Sequence, residues 1–174
     1  MKLVLLRHAT RSSHEIGDAS LNVTGRQQAV ELCTRLAPQG DLPVPTHLIS
    51  SPKKRARQTL EPLADAVHEI LKIDPRLDER SHAETVSEFE KRIRSVLLEL
   101  EQTHAKSNQP DGRETCVYIC SHMDWLETAL LLMPTDLSPQ EASESWATTE
   151  YCVFKYQNGL WIKKHRGFVA PKGR

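Results

Sequence analysis

"LVLLRHAT", Leu3 to Thr10, decides how this chain is read. Four apolar residues run without a break into Arg7 and His8. A short continuous apolar run suits a strand buried on both faces, as in the middle of a parallel sheet. Such a strand ends where the sheet ends, so it delivers Arg7 and His8 to its carboxyl edge. In open α/β sheets that edge is where ligands bind.

The same grammar recurs downstream. "TCVYICSH", Thr115 to His122, is a second apolar run that ends at a histidine. "THLIS", Thr46 to Ser50, is a third short strand and leads into Ser51, Pro52 and Arg55. "ILKI", Ile70 to Ile73, is a weaker one, and Asn158-Gly159 between apolar runs marks a hairpin.

Helical patterns lie between them. "TGRQQAVELCTRL" carries Ala29, Val30, Leu32, Cys33 and Leu36 at helical spacing, with Thr24 and Gln27 placed as a capping box. "PKKRARQTLEPLADAVH" starts at Pro52, which suits a first helical turn, and Pro62 should kink or restart it. "SEFEKRIRSVLLELEQTH" aligns Phe89, Ile93, Val96, Leu97 and Leu100 on one stripe. "MDWLETALLLM" follows His122, and a further short helix is expected from Ser138. "RHATRSSHEIGDAS" and "KSNQPDGRE" read as loops, and "APKGR" as a loose tail.

Strands alternating with helices predict an α/β three-layer sandwich, a mostly parallel central sheet flanked by helices. At 174 residues, with no repeat, linker or low-complexity tract, the chain is expected to form one domain over 1–174.

Composition narrows the function. Hydrophobic residues make up 39% and charged residues 26%, and the formal net charge is zero. No global field draws such a chain to nucleic acid or an anionic membrane, so neither is an expected partner. Any anion site must be built locally. The N-terminal apolar run is too short for a signal peptide, and no run approaches a membrane span, which predicts a cytoplasmic protein. Cys33, Cys116, Cys120 and Cys152 form no C-x-x-C pair, so reduced and mostly buried thiols are expected rather than a zinc site.

Three strand ends thus deliver Arg7-His8, Ser50-Ser51-Pro52 with Arg55, and Ser121-His122. The set is cationic or hydrogen-bond-donating, with no carboxylate in the strand-end motifs themselves. It suits a dianion with several oxygens, and phosphate is the obvious candidate. Arg11 could add a further fork, and the helix start after Pro52 further backbone donors. Ser50 could touch phosphate or merely cap that helix. If the first and fourth strands are neighbours, His8 and His122 face one crevice.

Taken together and in order, "LLRHAT", "SLNVTGRQQA", "ISSPKKRARQT", "LDER" and "YICSH" resemble the histidine phosphatase superfamily, the phosphoglycerate-mutase-like proteins. The resemblance runs from Leu3 to the neighbourhood of Leu132. It implies that His8 is a nucleophile that becomes phosphohistidine, and that Arg7, Arg55 and His122 hold the phosphoryl oxygens. Glu79 in "LDER" matches the proton donor of the mutase-like branch, and Arg11 fits a further phosphate contact of the acid phosphatase branch. No metal and no cofactor is implied.

Several positions depart from the family pattern. Ala9 stands for the usual glycine after the first histidine, and Met123 for a common glycine after the second. The segment that normally follows "LDER" and covers the site is missing, so Glu84 and Asp124 are alternative acids. A phosphorylated small molecule is the expected substrate. The short chain and open site also admit a phosphoprotein, as in phosphohistidine-protein phosphatases of the same superfamily. Two rivals remain: a non-catalytic phosphate- or phosphoprotein-binding module, and a metallohydrolase built on His8, His14 and His122. The other histidines, His47, His68, His82, His104 and His165, have no spacing that suggests a role.

Overall fold

Alternation along the first strand sets the architecture. In the computed structural model, which describes residues 1–15, 17–104 and 112–169, β1 spans Lys2–Arg7. Leu3 and Leu5 pack into one apolar cluster, Val4 and Leu6 into another. Successive side chains of a strand point to opposite faces, so a strand apolar at every position must be covered on both.

The remaining strands are β2 (His47–Ser50), β3 (Leu71–Ile73), β4 (Cys116–Ser121), β5 (Glu150–Gln157) and β6 (Leu160–Phe168). Their spatial order is β3-β2-β4-β1-β5-β6. The first four in sequence run parallel, while β5 and β6 are antiparallel additions at one side. Helices α1 (Val23–Thr34) and α2 (Lys54–Val67) cover one face, around Leu32, Leu60 and Leu63. Helices α3 (Val86–Glu99), α4 (Met123–Leu132) and the single turn α5 (Pro139–Ala142) cover the other, around Ile93, Trp125 and Trp146. The expected three-layer sandwich with a mostly parallel sheet is therefore present.

Some local expectations are corrected. Asn22, not Thr24, caps α1, because its side chain accepts from the Gly25 N–H. Pro52 precedes α2, whose cap is Lys53, and Pro62 lies within a continuous helix. Val30 is exposed, and α1 instead buries Gln28 beside Ala29 and Leu32. The stripe of α3 is buried as expected, under a capping box from Thr85 and Glu88. The hairpin turns at Asn158 and Gly159, both in the left-handed region (φ 53° and 83°), where Asn and Gly are tolerated. Of the segment read as a loop at residues 106–114, residues 106–111 lie outside the described residues, as does the tail at 170–174.

Cys116, Cys120 and Cys152 are buried in β4 and β5, and burial pushes the Cys116 and Cys152 thiols up to about 12. Among the described residues no helix is long and apolar enough to cross a membrane.

Candidate active site

Strand pairing assembles the site. β1 and β4 are parallel neighbours with Arg7 opposite Ser121, so the next residues, His8 and His122, emerge side by side. Their ring centroids lie 5.2 Å apart at 61°. β2 pairs with β4 on its other side and sends Ser51 and α2 to the same edge. Arg7, His8, Arg11, Arg55, Glu79, His122, Met123 and Asp124 line one cavity of about 430 Å³.

Hydrogen bonds set the protonation of both imidazoles. Arg55 has only donors, and its Nε lies 3.2 Å from His8 Nε2. Nε2 must therefore accept, and the ring proton sits on Nδ1, which donates to the Ala9 carbonyl at 2.8 Å. The Nη2 of Arg55 approaches His122 Nδ1 at 3.3 Å, so His122 carries its proton on Nε2 and donates to Ser51 Oγ at 2.8 Å. Burial is the largest cause holding both rings neutral, and Arg55 and Arg7 add to it. His8 is lowered to about 4 and His122 to about 2.

The guanidinium groups differ in how they are held. Arg55 is almost fully buried and bonds Glu79 Oε2 at 2.7 Å. Arg7 donates from Nη1 to the Trp146 carbonyl, while its buried Nε has no partner among the described residues. A buried N–H without an acceptor is costly. Arg11 stands exposed on the cavity wall.

Glu79 is half-exposed, with Lys53 Nζ 3.9 Å from it and 3.4 Å from Asp78. Its loop is held from α3, where Arg92 donates to the carbonyls of Arg76 (2.7 Å) and Asp78 (2.9 Å). Of the alternative acids, Glu84 is paired with that same Arg92 outside the cavity, and the pairing lowers its pKa. Asp124 lines the cavity, but its two oxygens accept from the backbone N–H groups of Arg80 and Trp125. His14 is exposed and does not line the cavity, which separates it from His8 and His122. Among the described residues no group of three or more His, Cys, Asp or Glu is placed to hold a metal ion.

Sequence reading missed the supporting residues. Thr59 accepts from the Ala9 N–H at 2.9 Å and donates to the Arg55 carbonyl at 2.7 Å, clasping the His8 loop to α2. Gln28 is buried and accepts from the N–H and the hydroxyl of Thr10. Gly25 lies so close that a Cβ there would come 2.0 Å from the Thr10 carbonyl oxygen. Ser51 orients His122, and its hydroxyl also accepts from the Lys53 N–H at 3.3 Å. Ser50, fully buried, donates to the Ser51 carbonyl. Thr59 and Gln28 both lie inside the quoted motifs, but spacing alone carries no signal of which atoms they bind.

Residues 3–84 match the model of the histidine phosphatase superfamily (branch 1). No curated protein sequence matches. Among solved structures, a mycobacterial glucosyl-3-phosphoglycerate phosphatase aligns with a TM-score of 0.73 at 17% identity, covering 97% of this chain and 99% of that one. A putative alpha-ribazole-5'-P phosphatase from Escherichia coli aligns at 0.77 and 13% identity, covering 100% and 99%. The protein histidine phosphatase SixA complexed with tungstate aligns at 0.73 and 17% identity, covering 97% of each chain.

Proposed function

We propose that this chain, with the histidine phosphatase superfamily pattern over residues 3–84 and the fold of its phosphatases throughout, hydrolyses phosphomonoesters through a phosphohistidine on His8. One observation carries the reading. An unprotonated imidazole nitrogen, His8 Nε2, faces a cavity in which Arg7, Arg55 and His122 converge.

The chemistry proceeds from those positions. A phosphoryl group enters the cavity and takes Arg55 from Nε2, leaving the lone pair free to attack phosphorus. The transferring group spreads negative charge over its equatorial oxygens, and cations already in place stabilise that distribution. The unpartnered Nε–H of Arg7 gains an acceptor. Glu79, in its acid form, gives its proton to the leaving oxygen as the P–O bond breaks and the N–P bond forms. As carboxylate, it then takes a proton from water, which attacks phosphorus and returns His8 to the neutral form. Every charge the reaction develops meets a group of this chain, so the mechanism calls for no metal. Under this reading activity persists in chelator; loss restored by zinc would contradict it.

A phosphoprotein substrate is the second reading. Met123 and Glu79, both more than a third exposed, leave the mouth of the cavity open to a bulky group. The turn ending at Leu77 passes to the cap of α3 at Thr85 with no covering element between. A substrate panel, small phosphomonoesters beside a phosphohistidine protein, tests both readings. Turnover of either that is lost in His8→Ala supports a phosphatase, and the preferred substrate decides between them. Tight phosphate binding without turnover of any would favour a binding module.

A further inference from the structure

We propose that Arg166, on β6, is a positioning residue that fixes Arg7 for phosphoryl binding, a role that rests on the phosphatase reading above. Arg7 takes its place from a main-chain carbonyl, that of Trp146. Trp146 lies in an irregular stretch between α5 and β5, so something must hold that stretch still. Arg166 does so with every nitrogen. Its Nε donates to Glu150 Oε1 at 2.7 Å, and its Nη1 to Glu144 Oε2 at 3.0 Å and the Glu141 carbonyl at 3.3 Å. Its Nη2 reaches the carbonyls of Glu144 and Ser145 at 3.4 and 3.5 Å. Its guanidinium also lies over the Trp146 ring, 5.1 Å from the centroid.

The stretch so held touches the catalytic loop at three points. The Trp146 carbonyl accepts from Arg7, the Thr149 N–H donates to the His8 carbonyl at 3.3 Å, and Thr148 and Thr10 hydroxyls meet at 3.3 Å. Thr149 is fully buried with φ at 58°, a strained conformation for a β-branched residue, which its neighbours must enforce. Glu150 closes the stretch on itself by accepting from the Ala147 N–H as well as from Arg166. Only a planar, five-donor group satisfies this set of acceptors, so lysine is a poor replacement.

A double-mutant cycle with Arg7 tests this role, using p-nitrophenyl phosphate as substrate and orthovanadate as inhibitor. Arg166→Ala should lower kcat/KM by about 10- to 100-fold, as expected for a displaced binding group, and weaken vanadate inhibition in step. In an Arg7→Ala background the same change should cost clearly less than in wild type, because the main group it positions is gone and only the Thr149 and Thr148 contacts remain to be disturbed. Arg166→Lys, which keeps the charge beside Glu150, should fall between the two and serves if the alanine variant does not fold. Multiplicative losses in the cycle, or unchanged vanadate inhibition, would overturn the role. A wild-type protein that neither hydrolyses the ester nor binds vanadate would overturn the phosphatase reading, and this role with it.

Discussion

Arg55 and His8 share one hydrogen bond that fixes the tautomer of His8. The Nε–H of Arg55 donates to His8 Nε2 at 3.2 Å, so the nitrogen facing the cavity bears a lone pair. The cation also opposes protonation of the ring, adding to burial in lowering His8 to about 4. Replacing Arg55 with Met removes that opposition, so the His8 midpoint moves up. It stays below the ordinary 6.5, since burial is the larger cause. NMR titration of the His8 ring reads the shift, and an unmoved midpoint would refute the coupling. Phosphatase turnover should fall by about 10²- to 10³-fold with it, the scale of a lost charge-stabilising donor.

Two neutral buried imidazoles make the fold sensitive to acid. Unfolded, each binds a proton near pH 6.5; folded, His8 does so only near 4. The unfolded chain therefore holds more protons in between, and stability falls as pH drops from 6.5 toward 4. Urea unfolding across that range should show the decline. The double variant His8→Gln, His122→Gln should show a flatter profile, and a profile as steep as wild type would place the acid sensitivity elsewhere.

Glu79 sits 2.7 Å from Arg55 Nη2 on the cavity wall, where it can serve a leaving oxygen. Glu79→Gln keeps a similar shape and removes the proton. Turnover of alkyl phosphates should fall by about 10²- to 10⁴-fold, the range of general acid catalysis. An aryl phosphate with an activated leaving group should lose far less in the first step. Equal losses on both substrates would move the acid role to another group.

Much of this was legible in the sequence because strand ends are legible. A run such as Leu3–Leu6 must be buried on both faces, and whatever follows it must emerge at the sheet edge. That put His8, His122 and the start of α2 at strand ends; the strand order, with β4 between β2 and β1, is what brings them together. Glu79 is different. It comes from a loop, and side-chain bonds from distant elements, the Arg92 fork on neighbouring carbonyls and Arg55 on its carboxylate, hold it at the cavity. The supports were hidden for the same reason. Thr59, Gln28 and Ser51 act through single hydrogen bonds that no periodicity encodes, and Arg166 reaches Arg7 through main-chain atoms of residues 144–150. The cap of α1 went to Asn22 because its side chain, rather than that of Thr24, reaches a free N–H of the first turn.

Gly25 shows how closely α1 seats the loop that follows His8. An alanine there would place its Cβ 2.0 Å from the Thr10 carbonyl oxygen, a backbone atom that cannot swing aside. Gly25→Ala should destabilise the fold by about 1–3 kcal/mol, the range for overpacking, and reduce activity through the shifted His8 loop. Thermal unfolding and turnover measured together check this. Full stability would mean that the loop and helix part more easily than their contact suggests.

The direct test of the account is to trap the covalent intermediate. Wild-type protein quenched during turnover of a radiolabelled phosphomonoester should carry label that is lost in acid and kept in base, as a phosphohistidine does, on the peptide holding His8. His8→Ala should carry none. Label that survives His8→Ala, or that maps to another residue, would contradict His8 as the nucleophile.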